Sequence, residues 1–186
     1  MNARSKLFFA AGLLAVFITA GHSEPLPTNG VTMKLQITAP AFAAGQPIPR
    51  RHTGEGQNLS PALQWSDVPP AAKSLALICD DPDAPAGTWV HWVIYDLPPA
   101  TTNLSEGVAK SPELDNGAKQ GMNSWPRLGY DGPMPPPGKP HRYFFKLYAL
   151  DAATGVKPGA TKQDLLRAME GHVLAEGEVM GTYQRK

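Results

Sequence analysis

Cysteine is almost missing from this chain: Cys79 is the only one among 186 residues. Without a second thiol no intramolecular disulfide can form, so a packed core must hold the fold unaided. The setting Ser74-Leu75-Ala76-Leu77-Ile78-Cys79 makes Cys79 a small buried hydrophobe rather than a reactive thiol. Charge is also scarce and balanced, with 17 Lys and Arg against 16 Asp and Glu. A near-neutral surface has no basic stripe for nucleic acid and no electrostatic hold on an anionic membrane. The sequence contains no Gly-x-Ser-x-Gly elbow and no His-Glu-x-x-His, so two common hydrolase signatures are excluded. There is no internal repeat and no low-complexity linker.

The one long apolar run, Leu7 to Ala20, follows Arg4 and Lys6 and precedes the first acid, Glu24. A short positive start, an apolar stretch and small residues at Gly21 and Ser23 form the pattern of an export signal. The expected cut follows Ser23, with Gly21 as the other option. The run is shorter than the roughly 20 residues a bilayer span needs, which argues against a membrane anchor. No cysteine stands near the cut to carry a lipid. The expectation is an exported protein, periplasmic or secreted, with no transmembrane span after signal removal. Residues 1–23 are then the signal and 24–186 a single domain, long enough to bury a real core.

Proline and glycine are abundant, at 20 and 18 residues. Spread along the chain without period, they punctuate many short strands joined by shaped loops. The expected strands are Met33–Thr38, Leu63–Trp65, Ser74–Cys79, Trp89–Tyr95, Arg142–Leu150 and a final one from about Leu174 to Tyr183. Ser74–Cys79 is continuously apolar, as a strand covered on both faces should be. One helix is expected. Thr161-Lys162-Gln163-Asp164 reads as a capping box, Leu165, Leu166 and Met169 as an apolar face, and Gly171 as the stop.

Four segments concentrate polar chemistry. Asp80-Asp81-Pro82-Asp83-Ala84-Pro85 follows the buried strand, and its two prolines stiffen an acidic loop that can aim carboxylates. A solvated turn is the plain alternative for Asp80 and Asp83. His91 lies in Trp89-Val90-His91-Trp92-Val93-Ile94-Tyr95, where alternation would put Trp89, His91, Val93 and Tyr95 on one face. A histidine in so apolar a strand needs hydrogen-bond partners, and Asp81 is within easy reach across the connecting loop. Taken alone, His91 reads as a satisfied core residue. In Pro140-His141-Arg142-Tyr143, His141 and Tyr143 face one way and Arg142 the other. Gly129-Tyr130-Asp131-Gly132-Pro133-Met134-Pro135-Pro136-Pro137-Gly138 combines close-approach glycines with rigid prolines and suits a pocket rim. A polyproline ligand for another domain is the alternative there.

These motifs resemble the phosphatidylethanolamine-binding protein family, also called the Raf kinase inhibitor proteins, and its bacterial branch in particular. Ser60-Pro61-Ala62-Leu63-Gln64-Trp65, Gly171-His172-Val173-Leu174-Ala175 and Gly181-Thr182-Tyr183 extend the likeness across most of the chain from Met33. The resemblance implies a mainly β fold, an antiparallel β-sandwich with Greek-key topology and one or two short helices. It implies a small pocket for phosphate, carboxylate or a phosphorylated head group, with ligand-binding residues Asp81, His91, His141, Tyr143, Trp89, Gly132 and Pro133. In this reading Asp81 keeps both imidazoles protonated and oriented, and they and Tyr143 donate to the anion. The chain ends soon after Tyr183, so the C-terminal helix of animal members is expected to be missing, which favours small anions over whole phospholipids.

The protein is expected to be a non-enzymatic binder without cofactor or metal, possessing a protein partner in the envelope as a further option. Three alternatives stay open: inhibition of an envelope protease or kinase through the pocket rim, weak hydrolysis by Asp81 and His91, and a two-histidine, one-carboxylate metal site from Asp81, His91 and His141.

Overall fold

The computed structural model describes residues 33–186. The signal segment read in residues 1–23 lies outside the described residues. No helix among those described is long and apolar enough to cross a membrane.

In chain order the elements are β1 (Met33–Lys34), β2 (Gln36–Thr38), β3 (Leu63–Ser66), β4 (Ser74–Asp81), β5 (Trp89–Leu97), β6 (Asn103–Leu104), β7 (Lys119–Gln120), β8 (His141–Leu150), α1 (Lys162–Met169) and β9 (Val173–Tyr183). They form a six-stranded sheet in the order β1-β9-β8-β4-β5-β7 and a three-stranded sheet in the order β2-β3-β6. The fold is therefore mainly β with one helix. All pairings in the two sheets are antiparallel except β1 with β9, which makes the large sheet mixed rather than wholly antiparallel. These pairing orders do not single out the expected Greek key. The expected strand Met33–Thr38 divides at Leu35, because its first half pairs with β9 and its second half with β3.

β4 is buried along its whole length, as its apolar run demands. Its alternate residues feed two cores. Leu75, Leu77 and Cys79 join Trp92, Phe145 and Leu147 with Ile37, Leu63 and Trp65 of the small sheet. Ala76 and Ile78 join Val93, Tyr95, Leu165 and Met169 on the opposite face, under α1. Each large side chain buried this way contributes roughly 1.5–3 kcal/mol. Burial also pushes the Cys79 thiol well up, consistent with an inert core residue.

The helix begins as its capping box directs. Thr161 Oγ1 accepts from the Asp164 amide at 3.2 Å, and Asp164 Oδ2 accepts from the Thr161 amide at 3.0 Å. Leu165 and Met169 are buried, whereas Leu166 stays 41% exposed and is not part of the packed face.

Candidate functional site

The acidic pair Asp80-Asp81 belongs to β4 itself and not to the loop after it. Successive strand residues point to opposite faces, so the two carboxylates separate. Asp80, 1% exposed, accepts from Lys146 at 3.2 Å and from Lys162 at the start of α1. It is a buried ion pair that ties the helix to the sheet, and the solvated-turn reading does not hold for it. Asp83 is tied down as well, through a two-point contact with the Arg142 guanidinium at 2.9 and 2.7 Å. That contact, chiefly, holds the Asp83 carboxyl down at about 2.

Asp81 faces the other way, toward β8. Its Oδ2 lies 2.8 Å from His141 Nδ1, and its Oδ1 accepts from the Asp83 amide at 2.8 Å. A carboxylate can only accept here, so the His141 Nδ1 hydrogen is committed to Asp81 and Nε2 is left for a ligand. Two residues along β8, Tyr143 is 1% exposed. Its hydroxyl makes no hydrogen bond of full geometry among the described residues, although the Asp81 carboxylate stands near enough to act on it. Burial first, then the nearby Asp81 charge, pushes its ionisation far up, which keeps it an O–H donor.

His91 reaches the same face by an irregularity that alternation alone does not predict. Cys79 pairs with Trp92, but the next residue, Asp80, pairs with Val90. His91 is the extra residue of a β-bulge. Val93 and Tyr95 therefore pack under α1, while the His91 ring lies edge-on to Tyr143, with centroids 5.1 Å apart. The expected shared face of Trp89, His91, Val93 and Tyr95 is broken at the bulge.

The partner of His91 also differs from expectation. Its Nδ1 is 2.6 Å from the carbonyl oxygen of Asp131, and its own carbonyl accepts from the Asp131 amide at 3.0 Å. Asp81 hydrogen-bonds His141, not His91. A carbonyl cannot donate, so His91 carries its hydrogen on Nδ1 and presents a bare Nε2. Burial is the main influence on this ring and lowers its basicity, with only partial relief from the Asp131 carbonyl and the Asp81 charge. Burial thus favours the neutral imidazole at His91, in the direction opposite to the expected pair of protonated histidines.

Asp131 keeps that carbonyl in place. Its buried carboxylate accepts from Asn58 at 2.8 Å, Lys110 at 2.7 Å and Asn123 at 2.9 Å. Burial pushes the Asp131 carboxyl up, but these donors outweigh it and hold the group below the ordinary range. Gly132 and Pro133 follow as buried scaffold and do not line the hollow. The Gly132 amide donates to Asn58 at 2.7 Å, and the Pro133 carbonyl accepts from Gly54 at 2.9 Å. A Cβ on Gly132 would lie 2.2 Å from the His52 carbonyl oxygen, so the residue serves close backbone packing. The rim role expected for that pair falls to the next three residues, Met134, Pro135 and Pro136.

The result is a pocket of about 340 Å³ in which Asp81, Trp89, His91, His141 and Tyr143 do converge. Trp125 completes the aromatic wall, edge-on to both Trp89 and His91 with centroids 5.2 Å away. Sequence reading passed over Trp125. The available signal was a large aromatic in Asn123-Ser124-Trp125-Pro126, where the Asn123 side chain turns the chain by accepting from the Trp125 amide at 2.9 Å. Trp89 Nε1 is a second buried donor without a partner among the described residues. No group of three His, Cys, Asp or Glu among those residues is arranged to hold a metal ion.

A family model described as phosphatidylethanolamine-binding protein matches residues 38–184. Among similar proteins, a UPF0098 protein of Methanothermobacter thermautotrophicus is 52% identical over 151 residues, 81% of this chain and 99% of the relative. A UPF0098 protein of Chlamydia muridarum is 47% identical over 156 residues, with the same two coverages. Among solved structures, a phosphatidylethanolamine-binding protein homologue from Chlamydia trachomatis matches with a TM-score of 0.75 and 44% identity, covering 82% of this chain and 99% of its own. YbcL of E. coli, described as a new member of the mammalian family, matches with a TM-score of 0.77 and 32% identity at the same coverages.

Proposed function

The chain belongs to the phosphatidylethanolamine-binding protein family, and from that premise we propose that its pocket binds a small oxyanion: phosphate, a carboxylate or a phosphorylated head group. One observation carries the reading. Two donors buried in the pocket wall, Tyr143 O–H and Trp89 Nε1–H, have no partner among the described residues, and both belong to residues that line the pocket. Buried polar groups are normally paired, so unpaired donors in a cavity wall mark where an acceptor belongs once a ligand enters and the two side chains turn to meet it. A small anion supplies acceptors on every side. Each charge-assisted hydrogen bond is worth about 1.5–3 kcal/mol, which supports modest affinity in an open site.

Titration calorimetry with inorganic phosphate, acetate and phosphoethanolamine at mildly acidic pH tests the proposal. Saturable one-to-one binding, with shifted His91 and Tyr143 NMR signals, is the expected result. Absence of saturation by all three, or saturation that leaves both signals in place, refutes it. Export belongs to the same reading and rests on Arg4, Lys6 and the apolar run Leu7 to Ala20. Cell fractionation with and without residues 1–23 checks it.

A second reading has its own support. Met134 is 50% exposed and stands with Pro136 and Pro85 at the pocket mouth, an apolar lip suited to a protein partner. Capture from an envelope extract that is lost in Met134→Asp but kept in Tyr143→Phe favours partner binding through the rim. Catalysis has the Asp81–His141 contact in its favour, at 2.8 Å, but the described residues that line the pocket include no Ser, Thr or Cys to act as nucleophile. Ester turnover abolished by His141→Ala is what that reading requires.

A further inference from the structure

No lysine or arginine is among the described residues that line the pocket. Its one fixed charge is the Asp81 carboxylate, of the wrong sign for an anion. The neighbouring Arg142 is occupied by Asp83, and Lys146 by Asp80 on the far face of β4. Beyond the neutral donors Tyr143 O–H and Trp89 Nε1–H, attraction for an oxyanion must therefore come from groups that change protonation.

The geometry offers two such groups, His141 held by the Asp81 carboxylate and His91 held by a backbone carbonyl. His91 is the one buried without a carboxylate in direct contact. The Nδ1 hydrogen of His91 is committed to the Asp131 carbonyl at 2.6 Å, so the neutral ring turns a lone pair, and no hydrogen, toward a ligand. A fully ionised oxyanion carries only lone pairs. Two acceptors facing each other repel, and one proton between them converts the contact into a charge-assisted hydrogen bond. We propose that this pocket takes up a proton with its anion, the proton coming from solvent and residing on His91 Nε2 in the complex. The inference rests on the anion-binding reading above and adds the condition under which binding occurs.

The charges around His91 agree with this role. Asp81 faces it from β4, Tyr143 and His141 from β8, and Asp131 from the loop, where Lys110 and Arg127 hold the Asp131 carboxylate. Asp80, on the far face of β4 and paired with Lys146 and Lys162, acts on it only through the strand. In the empty pocket burial is the largest influence and favours the neutral ring. A bound anion adds negative charge within contact distance and favours the imidazolium. The Asp81 and Asp131 carboxylates, with a smaller contribution from Asp80 through the strand, keep the protonated ring tolerable. By linkage, the apparent affinity should fall about tenfold per pH unit for each proton taken up, at pH values between the titration of the free ring and that of the ring in the complex.

Calorimetry of methyl phosphate at pH 8, repeated in buffers of different ionisation enthalpy, counts the protons. A phosphate monoester titrates near 6, so at pH 8 it has no hydrogen on its oxygens. Uptake of at least about one proton per ligand is expected in the wild type. His91→Gln, whose side-chain amide is a permanent N–H donor, should still bind, take up about one proton fewer and show a correspondingly flatter pH dependence. Binding with no proton uptake in the wild type overturns the inference while leaving the anion site intact. Full uptake retained in His91→Gln overturns the assignment to His91. If methyl phosphate, inorganic phosphate and acetate all fail to bind at any pH from 5 to 8, the anion site itself is refuted, and the proton inference with it. The wild-type proton count decides the question even if the variant fails to fold.

Discussion

Tyr143→Phe should push stability and binding in opposite directions. In the free protein the Tyr143 hydroxyl is buried without a partner among the described residues, beside the Asp81 carboxylate. Leaving a buried hydroxyl unpaired costs about 1–3 kcal/mol, and phenylalanine removes the group without changing the ring that packs against His91. The variant should therefore be more stable by about 1 kcal/mol, raising the melting temperature by roughly 2–4 °C for a chain of this size. In the complex the same hydroxyl donates to an anion in a bond worth about 1.5–3 kcal/mol, so affinity should drop by roughly 10- to 150-fold. Thermal melting of the ligand-free proteins and phosphate calorimetry at one pH read the two effects separately. Destabilisation by more than 1 kcal/mol would mean that the hydroxyl has a partner in the free protein. Unchanged affinity would mean that it points at no ligand. Either result refutes the reasoning.

Other consequences follow from the supports of the site. Gly132→Ala should destabilise by about 3 kcal/mol in urea unfolding, since the new methyl meets backbone atoms of His52 and Thr53 that cannot swing aside. Thr161→Ala removes the helix cap and should cost about 1 kcal/mol with phosphate affinity unchanged, because α1 lies on the face of β4 opposite the pocket. Asp83 has a folded-state value of about 2, below its unfolded value, so its contribution is present above pH 4 and lost as pH falls through 2. The Asp83–Arg142 pair is exposed to solvent, so the gap in urea midpoint between wild type and Asp83→Asn should be small, below about 1 kcal/mol, and should close near pH 2. A gap that persists at pH 2 contradicts the pairing.

The pocket residues were legible one motif at a time, but their contacts were not. Asp81, His91, His141, Tyr143 and Trp89 stand out because each is polar or aromatic chemistry set in a rigid or apolar context. Which imidazole Asp81 holds depends on the pairing of β4 with β8, whose residues are 60 apart at that contact. Local pattern carries no information about such a pairing. Trp125 and the Asp131 carbonyl were missed for the same reason, since both enter from a loop whose path is set by distant partners.

Composition and periodicity by themselves determined the all-buried β4, the aromatic β5 and β8, the capped α1 and the absence of any disulfide. These are consequences of local preference and of which surfaces must leave water. The one-residue bulge at His91, the split of Met33–Thr38 between two sheets and the protonation of the pocket were decided only in three dimensions. A single inserted residue reverses the facing of a strand, and the proton on an imidazole follows whatever acceptor the fold sets against it.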